Sequence, residues 1–506
     1  MSSATKAYPR AVPVRTARLE PRRTLRPIGA GPGGPAVGRA VPGAAPRLGV
    51  GQLFDDTAER HIIRHKLHAE ESAGNRLLVI LLFWGMLVTS VAVWLYDTAP
   101  GSLVTTSDIA IAVGRITGMI GGYLLLVQVA MASRVAWIEQ WVGGRDIMRW
   151  HRWIGTSLLV AVLAHAVFIT WGYGLTTGTP LTEQAWKMLA LEDMVSATAS
   201  TGVLVAVALL AIRGVRKLLP YEVWHFLHMG GYAALLLGFG HQFALGANLT
   251  NGFAYWFWSA LYALTIAVLA WGRLIEPLWF NARHQLRVSE TVQESPDTFS
   301  IYLTGRHLDD IGVKAGQYFR WRFLTSGGWW QSHPFSLSAA PNPRHLRITV
   351  TAVGGHTASL RELSPGTRVL ADGPSGVFTA DRRTTNRALL VAVGSGIAPI
   401  RAICEQMPQD TVLIYRARSE QDLALKAELD KLATSRGMTV RYVLGSRDDE
   451  EPRELFTPGG LGRYVPDIAE RDIYICGPGG FVTDLCAKLR RLQVPARQIH
   501  LDPFEF

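Results

Sequence analysis

Cysteine and charge are both scarce in this sequence of 506 residues. Its 3 cysteines, Cys404, Cys476 and Cys486, are too few and too far apart for a disulfide scaffold, a zinc ribbon or a four-cysteine iron–sulfur cluster. Charged residues make up only 18% of the chain and hydrophobic residues 48%, an apolar balance for a soluble protein. The composition therefore directs attention to where the apolar residues are concentrated.

The net charge of +11 is concentrated at the N-terminus. Residues 1–50 contain nine Lys or Arg and one acid, a net of +8, so the remainder is nearly balanced and does not indicate a nucleic-acid partner. Pro and Gly fill 15 of those 50 positions, and such a segment cannot bury enough apolar surface to offset its ordering entropy. We expect residues 1–75 to form a disordered, basic cytoplasmic tail that favours anionic lipid headgroups.

Long uncharged runs begin at Leu77, and each is long enough to cross the hydrocarbon layer of a bilayer as a helix. Trp and Tyr are common near the ends of these runs, as expected at a membrane interface. The sequence therefore predicts a six-helix transmembrane bundle over residues 76–275. The six predicted spans are Leu77–Tyr96, Ile109–Ala132, Trp153–Tyr173, Met194–Ile212, Val223–Phe243 and Phe253–Trp271.

Loop charges predict the orientation of this bundle. The first, third and fifth loops contain no Arg and a single Lys, Lys187, whereas the second and fourth loops are basic. The basic loops carry Arg134, Arg145, Arg149, Arg152, Arg213, Arg216 and Lys217. Because basic loops remain on the cytoplasmic side, we expect a multi-pass protein of the cell membrane with both termini in the cytoplasm.

Histidines inside the predicted third and fifth spans are the strongest chemical signal, because ionisable residues in a membrane are costly. His151 and His165 are 14 residues apart, about 21 Å along one helix face. His228 and His241 match that depth, but 13 residues rotate about 220° on an ideal helix, so a kink at the intervening glycines is required. His225 is the rival ligand, and simple packing of all five rings is the alternative. Two stacked bis-imidazole sites suit haem iron better than zinc or copper.

These spans resemble the ferric reductase transmembrane domain shared by NADPH oxidases and ferric-chelate reductases. The resemblance lies in His151-Arg152-Trp153-Ile154-Gly155 followed by His165, and in Tyr221-x-x-Trp224-x-x-x-His228. It implies a b-type cytochrome with two haems, the inner one between His151 and His228 and the outer one between His165 and His241. It also implies a haem propionate as the partner of Arg115, although Arg115 could instead extend to the outer interface.

The last 220 or so residues are less hydrophobic and predict two further domains. Short alternating strands, including Phe299–Leu303, Tyr318–Phe323 and Leu346–Val353, predict an antiparallel β-barrel over residues 283–382. From Ala388 strands and helices alternate, which predicts a doubly wound α/β domain over residues 386–506. The turn that begins at Gly394 follows the first of these strands and opens a helix, as a pyrophosphate-binding turn does.

Two further motifs, one from His333 to Ser338 and one from Cys476 to Pro478, make this half of the chain resemble the ferredoxin–NADP reductase family. The resemblance implies FAD beside the first motif, with Ser336 near the flavin N5, and NADPH or NADH beside the second, with Cys476 near the nicotinamide. The first motif is His333, Pro334, Phe335, Ser336, Leu337 and Ser338, and the second is Cys476, Gly477 and Pro478. Soluble members have Arg-x-Tyr where this chain has His-Pro-Phe, the form found in the membrane oxidase and ferric reductase branch.

The same resemblance assigns the remaining cofactor contacts. Gly355, His356 and Thr357 would hold the flavin pyrophosphate, and Phe506 would cover the flavin ring. The nicotinamide dinucleotide phosphates would lie on Gly394, Ser395, Gly396, Ile397, Ala398 and Pro399. We assign catalytic roles to Cys476, Ser336 and Phe506.

The end of the second parallel strand bears on nucleotide choice. Arg416, Arg418 and Ser419 stand where an NAD-selective site usually has an acid, which favours the 2′-phosphate of NADPH. A solvated basic strand end is the alternative, and NADH remains open.

These features together predict a path for electrons. It would lead from cytoplasmic NADPH through FAD and two b haems to a small external acceptor, either O2 or a ferric chelate. The alternative is an electron-supply subunit for a partner protein. We expect the lipid bilayer as a partner and no nucleic acid, and the sequence leaves the oligomeric state open.

Overall fold

The computed structural model describes residues 74–96, 98–99, 101–246 and 252–504. The predicted tail lies almost wholly outside these residues, and so does Phe506. The side chains of Gln140, Arg145, Arg213, Tyr221, Glu222 and His356 are likewise outside the description.

The first half of the chain is helical. Its α-helices are α1 (Gly74–Tyr96), α2 (Thr106–Met131), α3 (Ala136–Val142), α4 (Gly144–Thr177), α5 (Leu181–Leu189), α6 (Met194–Leu210), α7 (Arg213–Arg216), α8 (Tyr221–His228), α9 (Gly230–Leu245), α10 (Gly252–Ala270) and α11 (Glu276–His284). A π-helical turn, Trp271–Ile275, joins α10 to α11 without a break.

Within the described ranges, the helices long and apolar enough to cross a membrane number four, and five if the bent pair α5 and α6 forms one span. These are α1, α2, α4 and the continuous helix Gly252–His284. The structure therefore shows four or five candidate spans instead of the predicted six. The predicted fourth span forms the 17-residue α6, and the predicted fifth span divides at Met229 into α8 and the 16-residue α9. Sixteen residues rise only about 24 Å, less than the hydrocarbon thickness.

Helices α2 and α4 pack closely because glycines line their interface. A Cβ at Gly114 would lie 2.7 Å from the Ile169 side chain, and one at Gly121 would lie 3.0 Å from Val162. Small residues at such spacing let two membrane helices approach until their backbones nearly touch. This packing fixes α4, with His151 and His165, against α2.

The next domain consists of two three-stranded antiparallel sheets, in the orders β1-β2-β5 and β4-β3-β6. The strands are β1 (Arg287–Ser295), β2 (Thr298–Thr304), β3 (Tyr318–Phe323), β4 (His333–Ser336), β5 (Leu346–Thr351) and β6 (Val369–Ser375). A short helix, α12 (Gly355–Ser359), follows β5. The sheets enclose a core that includes Phe299, Phe319 and Trp321.

The prediction of a closed barrel is wrong for this domain. Only isolated bridges join the two sheets, between Arg287 and Arg368 and between Leu337 and Ile348. Neither bridge extends into a continuous ladder, so strand pairing does not close around the core. The domain is therefore a pair of packed sheets.

The final domain is a five-stranded parallel sheet in the order β11-β10-β7-β8-β9, with apolar cores on both faces. Its strands are β7 (Ala388–Val393), β8 (Thr411–Ala417), β9 (Thr439–Leu444), β10 (Asp472–Pro478) and β11 (Ile499–Phe504). Its helices are α13 (Ile397–Cys404), α14 (Lys426–Arg436), α15 (Glu450–Leu455), α16 (Pro458–Tyr464) and α17 (Gly479–Arg491). The strand order reverses beside β7, where Gly394 follows, and ligands of such sheets bind at that edge.

Candidate functional site

Two histidine pairs lie between α4 and the α8–α9 segment. The ring centroids of His151 and His228 are 6.1 Å apart with planes at 60°, and those of His165 and His241 are 6.1 Å apart with planes at 61°. Two imidazoles that bind one metal from opposite sides, at metal–nitrogen distances of about 2.0 Å, have ring centres roughly 6 Å apart. The spacing of both pairs therefore fits a metal held between two axial rings.

The helix break at Met229 explains how His228 and His241 come to face α4 together. On one ideal helix their 13-residue separation would turn them apart by about 220°. The chain instead ends α8 at His228, leaves the helix at Met229 (ψ −8°) and starts α9 at Gly230. The break lies between the two histidines, so the rotation of an ideal helix does not hold across it, and both rings lie beside histidines of α4. The ring of His225, the rival ligand, lies beside Trp224 with centroids 6.4 Å apart, near the charges of Arg134, Arg273 and Arg320.

The local contacts of His165 fix which of its ring nitrogens is available. Nδ1 lies 2.8 Å from the carbonyl oxygen of Gly114. Since a carbonyl only accepts, Nδ1 carries the proton and Nε2 keeps its lone pair for a metal. The ring also rests on Gly118, where a Cβ would lie 2.5 Å from Nδ1. The sequence shows the Gly114–Gly118 spacing, but it does not show that this face of α2 packs against His165.

The rings of His228 and His241, on the opposite segment, each contain a buried nitrogen that needs a hydrogen-bond partner. Nδ1 of His228 and Nδ1 of His241 are buried without a hydrogen-bond partner in the described residues. An unsatisfied buried polar group is costly, so such atoms indicate a site built for a further group. Trp224, which sequence reasoning left without a role, stacks on His228 at 5.0 Å and donates its Nε1–H to the Leu210 carbonyl.

Haem is the group that these donors fit. In the part of the chain that the structure describes, no three His, Cys, Asp or Glu residues converge on one point. Each pair can therefore supply only two ligands, and a porphyrin would supply the other four. Arg115 is half-buried on α2 and has no ion pair with a described residue, which leaves it available for a carboxylate such as a haem propionate.

The predicted flavin motif forms β4 and the residues after it. Ser336 pairs with Tyr318 of β3, and His333 stacks on Phe335 with centroids 6.1 Å apart. Leu337 and Ser338 are fully buried, and Ser338 binds Arg347 through its hydroxyl and carbonyl oxygens. The first four motif residues therefore form β4, whereas the side chains of the last two are buried inside the domain. Pro334, opposite Arg320, is the exposed member.

The predicted pyrophosphate segment begins α12. The Thr357 hydroxyl accepts hydrogen bonds from the backbone N–H groups of Val353 and Gly354, both at 3.0 Å. The turn at Gly355 and His356 is thus fixed by Thr357 rather than by a distant contact. Since α12 has only five residues, its N-terminus adds little dipole of its own.

Gly394 and Cys476 come together at the carboxyl edge of the parallel sheet. Gly394 has φ +56° and opens a 3₁₀ turn that ends at Gly396, where a Cβ would lie 2.2 Å from the Cys476 carbonyl oxygen. Only glycine permits this approach of the two motifs. Ile397, Ala398 and Pro399 continue into α13, where all three are buried. Gly477 and Pro478 end β10 beside them.

Cys476 is almost fully buried, with 1% of its surface exposed. Burial raises the pKa of its thiol well above the ordinary value, and the nearby Asp502 raises it further. The sulfur therefore stays protonated, and Sγ lies 3.9 Å from an Asp502 carboxylate oxygen. Sequence reasoning missed Asp502. Its contact with Cys476 comes from the register of the last strand, which no local sequence pattern reports.

Arg416, near the end of β8, and Arg418, just after it, lie at the same edge. Arg416 is half-buried and donates from Nη2 to the Gly445 carbonyl at 3.3 Å, while Arg418 is exposed. The hydroxyl of Ser419 donates to Asp422, so it is engaged within its own turn. Arg447, in the loop after β9, lies close enough to Arg416 for their charges to interact. Sequence reasoning missed it because its loop follows a different strand.

An ion-pair cluster joins the two-sheet domain to the nucleotide domain. Arg347, only 3% exposed, forms a two-bond pair with Glu428 of α14 at 2.5 and 3.0 Å, and Arg401 lies 2.7 Å from the same carboxylate. Burial alone would raise the pKa of Glu428, but the two arginines outweigh it and the pKa is lowered. The cluster fixes how the nucleotide edge faces β4.

Paired histidines in apolar helices, followed by a two-sheet domain and a parallel nucleotide-type sheet, define the class as a membrane oxidoreductase with cofactor-binding domains. Family models agree: residues 117–239 match the ferric reductase-like transmembrane component, 289–379 an FAD-binding domain, and 390–487 an oxidoreductase NAD-binding domain. The chain thus joins a ferric reductase-like transmembrane domain to an FAD- and NAD(P)-binding module of the ferredoxin–NADP reductase type.

Similar proteins share part of this arrangement. The ferredoxin reductase component of a 3-ketosteroid-9-alpha-monooxygenase from Mycolicibacterium smegmatis is 31% identical over 44% of this chain and 65% of its own length. A flavohemoprotein from Xylella fastidiosa is 26% identical over 50% of this chain and 66% of its own length. The chain thus spans just under two thirds of these two relatives. The FAD/NAD-binding domain of a Vibrio cholerae nitric oxide dioxygenase is 24% identical, with 44% of this chain and 99% of that one covered and a TM-score of 0.37.

Proposed function

We propose that this protein moves electrons from cytoplasmic NADPH, through FAD and two b haems, to an acceptor on the outer side of the cell membrane. The observation that carries the proposal is that two histidine pairs have the same centroid separation of 6.1 Å. The second pair lies 14 residues further along one segment and 13 residues further along the other. Equal spacing at two depths is what a two-step path across a membrane requires. A single structural histidine contact would not produce it.

The residues have distinct roles in this proposal. His151 and His228 would hold the inner haem, and His165 and His241 the outer haem. Since a nicotinamide gives up two electrons as a hydride and a haem accepts one, a flavin between them supplies the conversion. Ser336 and Cys476 would orient the flavin and the nicotinamide, with the Cys476 thiol in its protonated, uncharged form.

The contacts of the flavin domain support a cytoplasmic position. Arg134, in one of the basic loops, lies 3.6 Å from Asp372 of β6. The basic side of the bundle and the flavin domain therefore face each other. Basic loops lie on the cytoplasmic side, so both cofactor domains would lie there as well. An inside-negative potential then favours outward electron movement, by about 2.3 kcal/mol per 100 mV.

The external acceptor is O2 or a ferric chelate. The test is anaerobic addition of NADPH to the purified protein, followed by admission of air or of ferric citrate. We expect flavin and haem bands to become reduced and then to reoxidise, with superoxide formed if O2 is the acceptor and ferrous iron if the chelate is. Failure of NADPH to reduce any haem would contradict the proposal.

A second candidate function is electron supply to a partner protein. The observation that favours it is the similarity to a reductase component of a monooxygenase system. In the same assay this function would give stable reduced haem that neither air nor ferric citrate reoxidises rapidly.

Deletion of Phe506 is expected to change the rate at which NADPH reduces the flavin. β11 leads to the carboxyl edge of the sheet, where its residue Phe504 is in register with Pro478, and an aromatic ring beyond it would cover the flavin face. Aromatic stacking is worth about 0.5–1.5 kcal/mol, small enough for a bound nucleotide to displace the ring. Stopped-flow flavin bleaching measures the rate.

The matched control for this deletion is Phe506→Tyr, which keeps an aromatic ring and should behave like the wild type. Haem content should be the same in all three proteins. Unchanged flavin affinity and an unchanged reduction rate after deletion would show that Phe506 does not cover the flavin.

A further inference from the structure

The last membrane helix and the flavin domain share one continuous element. Residues Gly252–His284 run without a break through the π-helical turn Trp271–Ile275. Phe280, near the end of this helix, is buried in the core of the two-sheet domain and contacts Phe319 of β3. A rotation of the flavin domain would therefore have to move or unwind the helix that enters the membrane.

The same helix contacts both ends of the turn between α2 and α3. The Arg273 guanidinium donates to the Ala132 carbonyl at the end of α2, at 2.5 and 3.0 Å. Glu276 lies close enough to the backbone N–H of Ala136, which begins α3, to interact with it electrostatically. A cation at a helix C-terminus and an anion at an N-terminus are the stabilising signs at helix ends. The turn of residues 132–136, which we call the clamped turn, is thus fixed to the last membrane helix.

The clamped turn reaches β6, and so does the helix that holds it. Arg134, with φ +64°, pairs with Asp372 at 3.6 Å. Asn281 donates from Nδ2 to the Ala371 carbonyl at 2.9 Å and accepts from the Ala371 N–H at 2.8 Å. The side-chain amide of Asn281 therefore bonds to β6 in the way that a neighbouring strand would. Helix, clamped turn and strand form a closed ring of contacts.

A third contact lies beside the predicted flavin position. The Tyr318 hydroxyl donates to Glu139 of α3 at 3.3 Å, and Tyr318 is in register with Ser336. Burial raises the pKa of Tyr318 to about 12, and the charge of Glu139 acts in the same direction, so the phenol stays a donor at neutral pH. The contact links the strand that would hold the flavin to the short helix that precedes α4 and its His151.

We propose that Asn281 is a positioning residue for electron transfer, because its two bonds to Ala371 hold the flavin domain at a fixed place on the cytoplasmic face of the membrane bundle. The Arg134–Asp372 and Tyr318–Glu139 contacts support the same placement. This inference rests on the proposed function, since it concerns the step from the flavin domain to the His151–His228 site. Asn281 touches neither cofactor site and acts through β6.

The role is separable from the other steps. Hydride transfer from NADPH to the flavin takes place within the two cytoplasmic domains, whose mutual position depends on Arg347 and Glu428 rather than on Asn281. Electron transfer to the inner haem depends steeply on the distance between flavin and haem. Loss of the Asn281 bonds should therefore slow haem reduction and leave flavin reduction unchanged.

The test variant is Asn281→Leu, which removes both bonds at nearly constant volume. The matched control is Asn342→Leu in the same domain, where Asn342 accepts from the backbone N–H groups of Arg344 and His345 within its own loop. We expect haem reduction in Asn281→Leu to slow by about tenfold or more, with flavin reduction and haem content as in the wild type. Hydrogen exchange of the Ala371 amide should accelerate only in Asn281→Leu.

A charge exchange provides a second variant in case Asn281→Leu does not fold. Arg134→Asp should slow haem reduction, and Arg134→Asp combined with Asp372→Arg should restore it, since Asp tolerates the left-handed backbone at position 134. Normal haem reduction in Asn281→Leu despite rapid Ala371 exchange would overturn the inference and leave the proposed function intact. A wild-type protein whose haems NADPH does not reduce would overturn both.

Discussion

Replacement of His165 by alanine is expected to remove the outer haem and to leave the inner haem in place. His165 and His241 are the two ring ligands available at the outer depth, and their centroids are 6.1 Å apart. The inner pair, His151 and His228, is contributed by other turns of the same segments and does not contact His165. The wild type should contain two b haems per chain and the variant about one. A pyridine haemochrome assay against protein concentration measures this ratio.

The matched control is His225→Ala. His225 belongs to the same membrane region and lies three residues from His228, but it is His228 whose ring lies beside His151, while the ring of His225 lies beside Trp224. This variant should keep both haems. A loss of haem from His225→Ala equal to that from His165→Ala would show that the ligand pairs are wrong. A wild-type protein without haem would contradict the whole interpretation of the membrane region.

The histidine pairs show how far the sequence could lead and where it stopped. His151 and His165 are predictable because 14 residues return to one face of a regular helix. The partner pair is not, because the break at Met229 depends on how α9 packs. A Cβ at Gly230 would meet Val203 and Val207 of α6 at 3.4 Å, so the break is a tertiary feature. The same break explains why the predicted fifth span is not one long helix.

The flavin domain illustrates a second limit. Alternation of apolar residues identified β3, whose residues are buried in turn, because a half-buried strand must alternate. Closure into a barrel requires continuous pairing between the two sheets. The bridges at Arg287 and Leu337 are isolated and do not extend into such a ladder. No local pattern reports such pairing. Asp502, Arg447 and Asn281 escaped notice for a related reason, since each acquires its partner from a distant part of the chain.

Replacement of both Arg416 and Arg418 by alanine is expected to impair the use of NADPH far more than the use of NADH. Arg416 lies near the end of β8 and Arg418 just after it, at the edge where Gly394 begins the predicted phosphate turn. The Gly445 carbonyl holds the Arg416 guanidinium, and Arg447 adds a third positive charge nearby. NADPH differs from NADH only in a 2′-phosphate, which these guanidinium groups would bind by charge-assisted hydrogen bonds.

The size of the effect follows from those bonds. A hydrogen bond to a charged group contributes about 1.5–3 kcal/mol, and 1.4 kcal/mol corresponds to a factor of ten. Arg418 is exposed, so its share lies at the low end. We therefore expect kcat/KM for NADPH to fall by roughly 10- to 100-fold, mainly through KM, while kcat/KM for NADH changes by less than about threefold. Steady-state kinetics with both nucleotides gives the two ratios.

The control must remove the same charge elsewhere on the nucleotide domain. Arg490 and Arg491 are exposed at the end of α17, and their double replacement by alanine also lowers the net charge by two. If general attraction of the anionic nucleotide were responsible, both double variants would weaken NADPH binding alike, and high salt would abolish the difference from the wild type. Direct contact with the 2′-phosphate instead predicts normal kinetics for the Arg490 and Arg491 variant. Equal losses with NADPH and NADH in the Arg416 and Arg418 variant would show that these arginines do not discriminate between the two nucleotides.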